Sequence, residues 1–144
     1  FLEPVDEIWH AVDWGNPETV LAVENFKPVR AVHGNCDGAE VRRCYGPVEL
    51  IEVQGLKILM THIGGYPGRY DYKALQLIDA HRPDIFICGH SHILKVINDK
   101  HYGMLVINPG AAGIFGPHLV RTAVRFHIDE GRIRDLEVGE WPKP

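Results

Sequence analysis

The stretch Cys88-Gly89-His90-Ser91-His92 sets two imidazoles one residue apart at the end of an apolar run, Ile85–Cys88. Histidine ligates metals and moves protons near neutral pH. Other apolar runs end in the same way. Ile8–Ala11 leads into Val12-Asp13, and Val29–His33 leads into Gly34-Asn35-Cys36-Asp37. Ile58–Met60 leads into Thr61-His62, and Val106-Ile107 into Asn108-Pro109-Gly110. Asp13, Asn35, His62, His90 and His92 together offer carboxylate, carboxamide and imidazole donors. That mixed nitrogen and oxygen set suits Mn²⁺, Fe, Zn²⁺ or Ni²⁺. It differs from a structural zinc site, because Cys36, Cys44 and Cys88 lack close pairing. A metal in such a site lowers the pKa of its water from about 15.7 toward ~7, and two metals roughly 3.5–4 Å apart can hold nucleophile and substrate oxygens together. The two oxygens of Asp13 could bridge such a pair. Phosphate esters match this chemistry, since their charge needs cations and their displacement needs in-line positioning.

Strand ends are where such residues can meet, because loops from several strands converge there on a rigid base. The elements needed are legible. Glu7–His10 reads as a strand. Asn16 is an N-cap with Pro17 at the first helical position, so a helix runs to about Phe26. Val29–His33 is a short strand, and Pro47–Val53 with Leu56–Thr61 forms a hairpin around Gln54-Gly55. Asp71 caps a helix through about His81, with Ala74, Leu75, Leu77 and Ile78 on its apolar face. Ile85–Cys88 is a buried strand. Two hairpins follow, turning near Asn98–Lys100 and at Asp129-Glu130-Gly131. Tyr66-Pro67-Gly68-Arg69-Tyr70 reads as a loop near the site. Strand and helix alternate in the first half and hairpins fill the second, an α/β (α+β) pattern of mixed sheets with helices packed outside.

The bulk composition narrows the partners. The chain of 144 residues is 45% hydrophobic and 24% charged, with a net charge of −4. That fits one globular domain and disfavours nucleic acid as a tight partner, which needs a basic surface. No apolar run approaches the roughly 18 residues of a membrane span. An odd count of three cysteines without a framework points to free thiols and a reducing, cytoplasmic setting.

Asp13 in His10-Ala11-Val12-Asp13-Trp14-Gly15-Asn16, Gly34-Asn35-Cys36-Asp37, Thr61-His62, Gly89-His90-Ser91-His92 and Asn108-Pro109-Gly110 resemble, in order and setting, the motifs of the calcineurin-like metallophosphoesterases. The likeness covers nearly the whole chain and is strongest to the small bacterial and archaeal YfcE-type phosphodiesterases. It implies a sandwich of two mixed β-sheets flanked by helices and a site for two divalent metals. By that resemblance Asp13 bridges the metals, and Asn35, His62 and His90 complete one site. His92 binds the other metal, with an Asp and a His from an Asp-x-His motif. Asn35, Cys36 and His118 would face substrate, and Asp37 would orient its neighbours. The implied reaction is attack of metal-bound hydroxide on the phosphorus of a small phosphorylated substrate.

The chain departs from the pattern at three points. No Asp-x-His motif precedes Asp13. The expectation is therefore a metallophosphoesterase domain over residues 1–144 that is N-terminally truncated, its first strand and helix missing. Val12 stands where the family has Gly, and Cys36 where many members have His. The rival expectations are a non-catalytic scaffold of the Vps29 kind, or an inactive metal-binding fragment.

Overall fold

The computed structural model describes residues 1–144. Its largest sheet has five strands, β3 (Val48–Val53), β4 (Leu56–Thr61), β7 (Ile85–Ile87), β9 (Met104–Pro109) and β8 (Leu94–Asp99), in that order. The three central strands β4, β7 and β9 are parallel, and the two outer ones are antiparallel to their neighbours. β1 (Ile8–His10) and β2 (Val29–Ala31) form a separate parallel pair. β10 (Val120–Asp129) and β11 (Arg132–Pro142) form a long hairpin.

Side-chain alternation along β4 shows how the layers are glued. Ile58 and Met60 point to one face, with Ile51, Ile85, Ile87 and Ile107, and meet Ala11 and Val32 of the β1–β2 layer. Val124, Phe126, Ile133 and Leu136 of the β10–β11 hairpin pack on that same core. Leu59 points the other way and packs with Phe86, Cys88 and Val106 against Ala74 and Ile78 of α3 (Tyr72–His81). A third cluster, Trp14, Val20, Ala31 and Val41, seats α1 (Pro17–Phe26) and α2 (Ala39–Cys44) on the outer side of the β1–β2 pair. Each fully buried Leu, Ile or Met contributes roughly 1.5–3 kcal/mol of transfer free energy. The expected two β-layers flanked by helices are present, with the second layer made of two separate two-stranded pieces. No helix is long and apolar enough to cross a membrane.

The caps and turns follow their sequence signals. Asn16 accepts the Thr19 N–H at 2.8 Å, and Asp71 accepts those of Lys73 and Ala74. Gln54-Gly55 and Glu130-Gly131 both have positive φ at each residue, the conformation of a type I′ hairpin turn. Strand ends fall one or two residues inside the expected limits: Ala31 rather than His33, and Ile87 rather than Cys88. Two elements were not anticipated. α2 has six residues and buries only Val41, too short a stripe to give periodicity. The 66–70 stretch is a small hairpin, β5 (Gly65–Tyr66) and β6 (Arg69–Tyr70), rather than an irregular loop. Pro67-Gly68 makes its turn, with Gly68 at φ +86.

Parallel strands have a common direction, so the C-terminal ends of β4, β7 and β9 lie along one edge of the sheet. The turns carrying His62 and His90 leave from that edge, and Asn108 lies at the end of β9 beside them.

Candidate metal centre

Three of the expected ligands close on one another. The Asn35 Oδ1 oxygen lies 2.9 Å from His62 Nε2 and 3.1 Å from His90 Nδ1. Those two ring nitrogens are 3.2 Å apart, and Asp13 Oδ2 is 3.6 Å from His62 Nε2. Histidine and carboxylate side chains alone do not close a group of three; the Asn35 oxygen completes the cluster. Metal–donor bonds of about 2.1 Å would separate neighbouring donors by roughly 3.0–3.4 Å in tetrahedral or octahedral geometry. The 3.1 and 3.2 Å spacings fall within that range, and the 2.9 and 3.6 Å spacings lie within about 0.2 Å of its limits.

Protonation makes the same point. His62 Nδ1 lies 2.8 Å from the Ala11 carbonyl, which can only accept. In the neutral ring Nδ1 therefore carries the proton, and Nε2 presents a lone pair. Asn35 turns its Nδ2 toward Cys36 Sγ, leaving Oδ1 inward. Two acceptors 2.9 Å apart repel unless a proton donor or a cation lies between them. The donor set fits a divalent cation, and the Ala11 carbonyl is the type of partner that orients a ligating histidine.

The backbone around these side chains is arranged for close approach. Asp13 Oδ1 accepts the Cys36 N–H at 2.9 Å, which ties the turn after β1 to the turn after β2. A Cβ on Gly34 would fall 1.8 Å from that oxygen, so only glycine leaves room for the carboxylate. Asp37, buried, lies beneath both turns. Its carboxylate accepts the N–H of Trp14 at 2.9 Å, of Gly15 at 3.1 Å and of Gly34 at 2.8 Å. It thus positions Asp13 and Asn35 through their neighbours and touches neither side chain.

The Gly89–His92 turn is braced from below. Gly89 N–H donates to the His62 carbonyl at 2.8 Å. Asn108 Nδ2 donates to the Gly89 carbonyl and to Ser91 Oγ, both at 3.0 Å, while its Oδ1 accepts the Gly110 N–H. In the sequence Asn108 stands out only as the start of Asn108-Pro109-Gly110. Its spacing before Pro109-Gly110 was the signal, but which turn it would brace depends on the register of β7 against β9. Both His90 and His92 have left-handed backbones, at φ +68 and +61. For non-glycine residues that conformation costs of order 1–2 kcal/mol each. The strained turn sends the two imidazoles to different places, which regular strand alternation would not do. Val12, the residue in place of glycine, is accommodated across the cleft: a Cβ on Gly89 would sit 2.7 Å from Val12 Cγ1.

His92 lies apart from the His62–His90 cluster and pairs with His118, Nδ1 to Nδ1 at 3.1 Å. His118 Nε2 meets the Gly113 carbonyl at 2.8 Å, so it carries that ring's proton and Nδ1 faces His92 with a lone pair. Burial, and then the neighbouring His118 ring, hold His92 below the usual imidazole range. Cys36 is exposed at the rim and contributes its backbone N–H to Asp13. Burial pushes the Cys88 thiol up to about 12, so it is not a nucleophile near neutral pH.

His10 stacks on Trp14 at 3.7 Å between ring centroids, and its Nδ1 is sealed from solvent without a partner. Burial lowers its pKa to about 4, keeping it neutral beneath the site.

The family model described as the calcineurin-like phosphoesterase superfamily domain matches residues 2–131. A probable metallophosphoesterase of Methanothermobacter thermautotrophicus is 29% identical over 140 residues, covering 93% of this chain and 75% of the relative. A structure described as a novel archaeal phosphodiesterase superimposes with a TM-score of 0.72 at 22% identity, covering 94% of this chain and 84% of that one. Wild-type Vps29 of Entamoeba histolytica, solved with Zn²⁺, superimposes with a TM-score of 0.63 at 19% identity, covering 94% and 83%. At these identities the two structures show the fold alone.

Proposed function

The chain belongs to the calcineurin-like phosphoesterase superfamily, and on that premise we propose that it hydrolyses small phosphodiesters with the help of two divalent cations. The observation that carries this is the convergence of Asn35 Oδ1, His62 Nε2 and His90 Nδ1, with Asp13 beside them, from four separate strand ends. Asp13, Asn35, His62 and His90 would hold one cation, and His92 with Asp13 the other; Mn, Ni, Fe and Zn all suit the donor set. Bound there, such cations supply a water of lowered pKa and neutralise charge on phosphoryl oxygens.

The protein's own groups do the rest. The Ala11 carbonyl fixes the His62 tautomer. Asp37 and Asn108 hold the turns so that nothing reorganises when substrate arrives. Asn35 and Cys36 border the phosphate position. His118, anchored to Gly113 through Nε2, holds its Nδ1 against His92 and would face substrate there. We read residues 1–144 as one such domain. The free thiols of Cys36, Cys44 and Cys88 support a cytoplasmic setting.

The fold likeness to Vps29, together with the exposed Phe115 (85%) and Leu119 (88%), favours a second reading: a non-catalytic scaffold that docks a partner. One assay separates them. Bis(p-nitrophenyl) phosphate is incubated with the protein and Mn²⁺ or Ni²⁺, alongside Asp13→Asn and His62→Gln. Turnover that falls by roughly 100-fold or more in both variants is expected. Absence of turnover under every metal, or turnover unchanged in both variants, sinks the hydrolase reading.

A further inference from the structure

The metal centre opens on one side into a cavity of about 440 Å³, and His90 belongs to both. Gly89, Ser91 and Asn108 form its floor. Its far walls come from the β5–β6 hairpin and the start of β8, which bring Tyr66, Arg69 and Lys95. Ile63 and Ile93, both largely exposed, form the apolar rim.

The charges decide what fits. Arg69 makes no ion pair, and neither does Lys95, whose ammonium lies 3.8 Å over the Tyr66 ring centroid. The one carboxylate lining the cavity is Asp71, which already accepts the N–H groups of Lys73 and Ala74 as the cap of α3. Two unpaired cations thus face a volume that begins at a candidate ligand. An arginine fork matches phosphate geometry, while a lysine acts as a mobile point charge. The Ile63, Ile93 and Tyr66 surfaces suit a ring carried between two phosphates.

Resting on the phosphodiesterase reading above, we infer that this cavity binds one arm of the substrate, and that the arm carries a second phosphate. The substrate class is a short phosphodiester of nucleotide type, with its scissile phosphate at the metals and its further phosphate between Arg69 and Lys95. The hairpin is the specificity element: Pro67-Gly68 turns β6 back so that Arg69 pairs with Tyr66 across it.

The test compares dithymidine dinucleotide with and without a 5′-phosphate, and bis(p-nitrophenyl) phosphate as a substrate without a second charge. Wild-type protein should prefer the 5′-phosphorylated dinucleotide by at least tenfold in kcat/KM. Arg69→Ala with Lys95→Ala should erase that preference through KM, and leave bis(p-nitrophenyl) phosphate turnover within twofold. Equal rates on the two dinucleotides, or an equal loss on all three substrates, overturns the inference. A binding measurement stands apart from turnover. By calorimetry, thymidine 3′,5′-bisphosphate should bind at least tenfold tighter than thymidine 5′-monophosphate, and the double variant should abolish the difference. No turnover of any diester, with this binding difference intact, would remove the hydrolase reading and keep the anion-binding cavity. Turnover of bis(p-nitrophenyl) phosphate with no binding difference would do the reverse.

Discussion

Replacing Asp37 by Asn tests whether the site is positioned from beneath. The carboxylate accepts three backbone N–H groups. Its Oδ1 takes Trp14 and Gly15, and its Oδ2 takes Gly34 and shares the Trp14 N–H at 3.1 Å. Asparagine keeps the volume but offers one oxygen. Whichever way the amide turns, its NH₂ faces a backbone donor. If it replaces Oδ2, the Gly34 bond is lost; if it replaces Oδ1, the Gly15 bond is lost. Hydrogen bonds to a charged group contribute roughly 1.5–3 kcal/mol each, and an orphaned buried donor adds its own desolvation cost. A loss of about 3 kcal/mol follows, which for a chain of this size lowers Tm by roughly 10 °C. Gly34 adjoins Asn35, and Trp14 adjoins Asp13, so the same change loosens two proposed ligands. A misplacement of about 1 Å costs on the order of 100-fold in rate. The assay pairs thermal unfolding by circular dichroism with kcat/KM at a temperature where the variant is still folded. A variant that melts within about 2 °C of wild type refutes the accounting of hydrogen bonds. One that melts early yet keeps full kcat/KM refutes the positioning role.

The remaining predictions concern single groups. Gly34→Ala should leave the chain folded but drive the Asp13 carboxylate from its place, since the new Cβ would lie 1.8 Å from Oδ1; titration calorimetry with Mn²⁺ should show affinity weakened by roughly 10–100-fold, and unchanged affinity counts against the close-approach argument. Cys36→Ser keeps the backbone N–H that Asp13 uses, so kcat/KM should barely change; a large loss would give the thiol a role of its own. His10 has a pKa of about 4 in the folded chain against an ordinary 6.5. The unfolded chain binds more protons between those values, so this stability is fully present above about pH 6.5 and is lost as pH falls through 4, by up to roughly 3 kcal/mol. Denaturant melts of wild type and His10→Phe from pH 4 to 7 should diverge at the acid end, and parallel curves would refute it. Mn²⁺ at about 100 times its Kd should stabilise the wild type by roughly 2.7 kcal/mol, and His62→Gln much less; equal stabilisation would place the cation elsewhere.

The candidate ligands and the class of fold were already legible along the chain. Asp13, Asn35, His62, His90 and His92 each follow an apolar run, and local signals set the rest: the caps Asn16 and Asp71, and the turns Gln54-Gly55 and Glu130-Gly131. Those are short-range effects, decided by a residue and its near neighbours. The tertiary structure decided which donors meet. His90 joins Asn35 and His62, while His92 goes to His118, because two left-handed residues in one turn override alternation. Asn108 braces that turn, and Arg69 and Lys95 come to face one cavity, only because β7 lies beside β9 and the β5–β6 hairpin folds over the sheet edge. Contacts of this kind join residues separated by 17 to 55 positions in the chain. They depend on strand order and register, which no local propensity encodes.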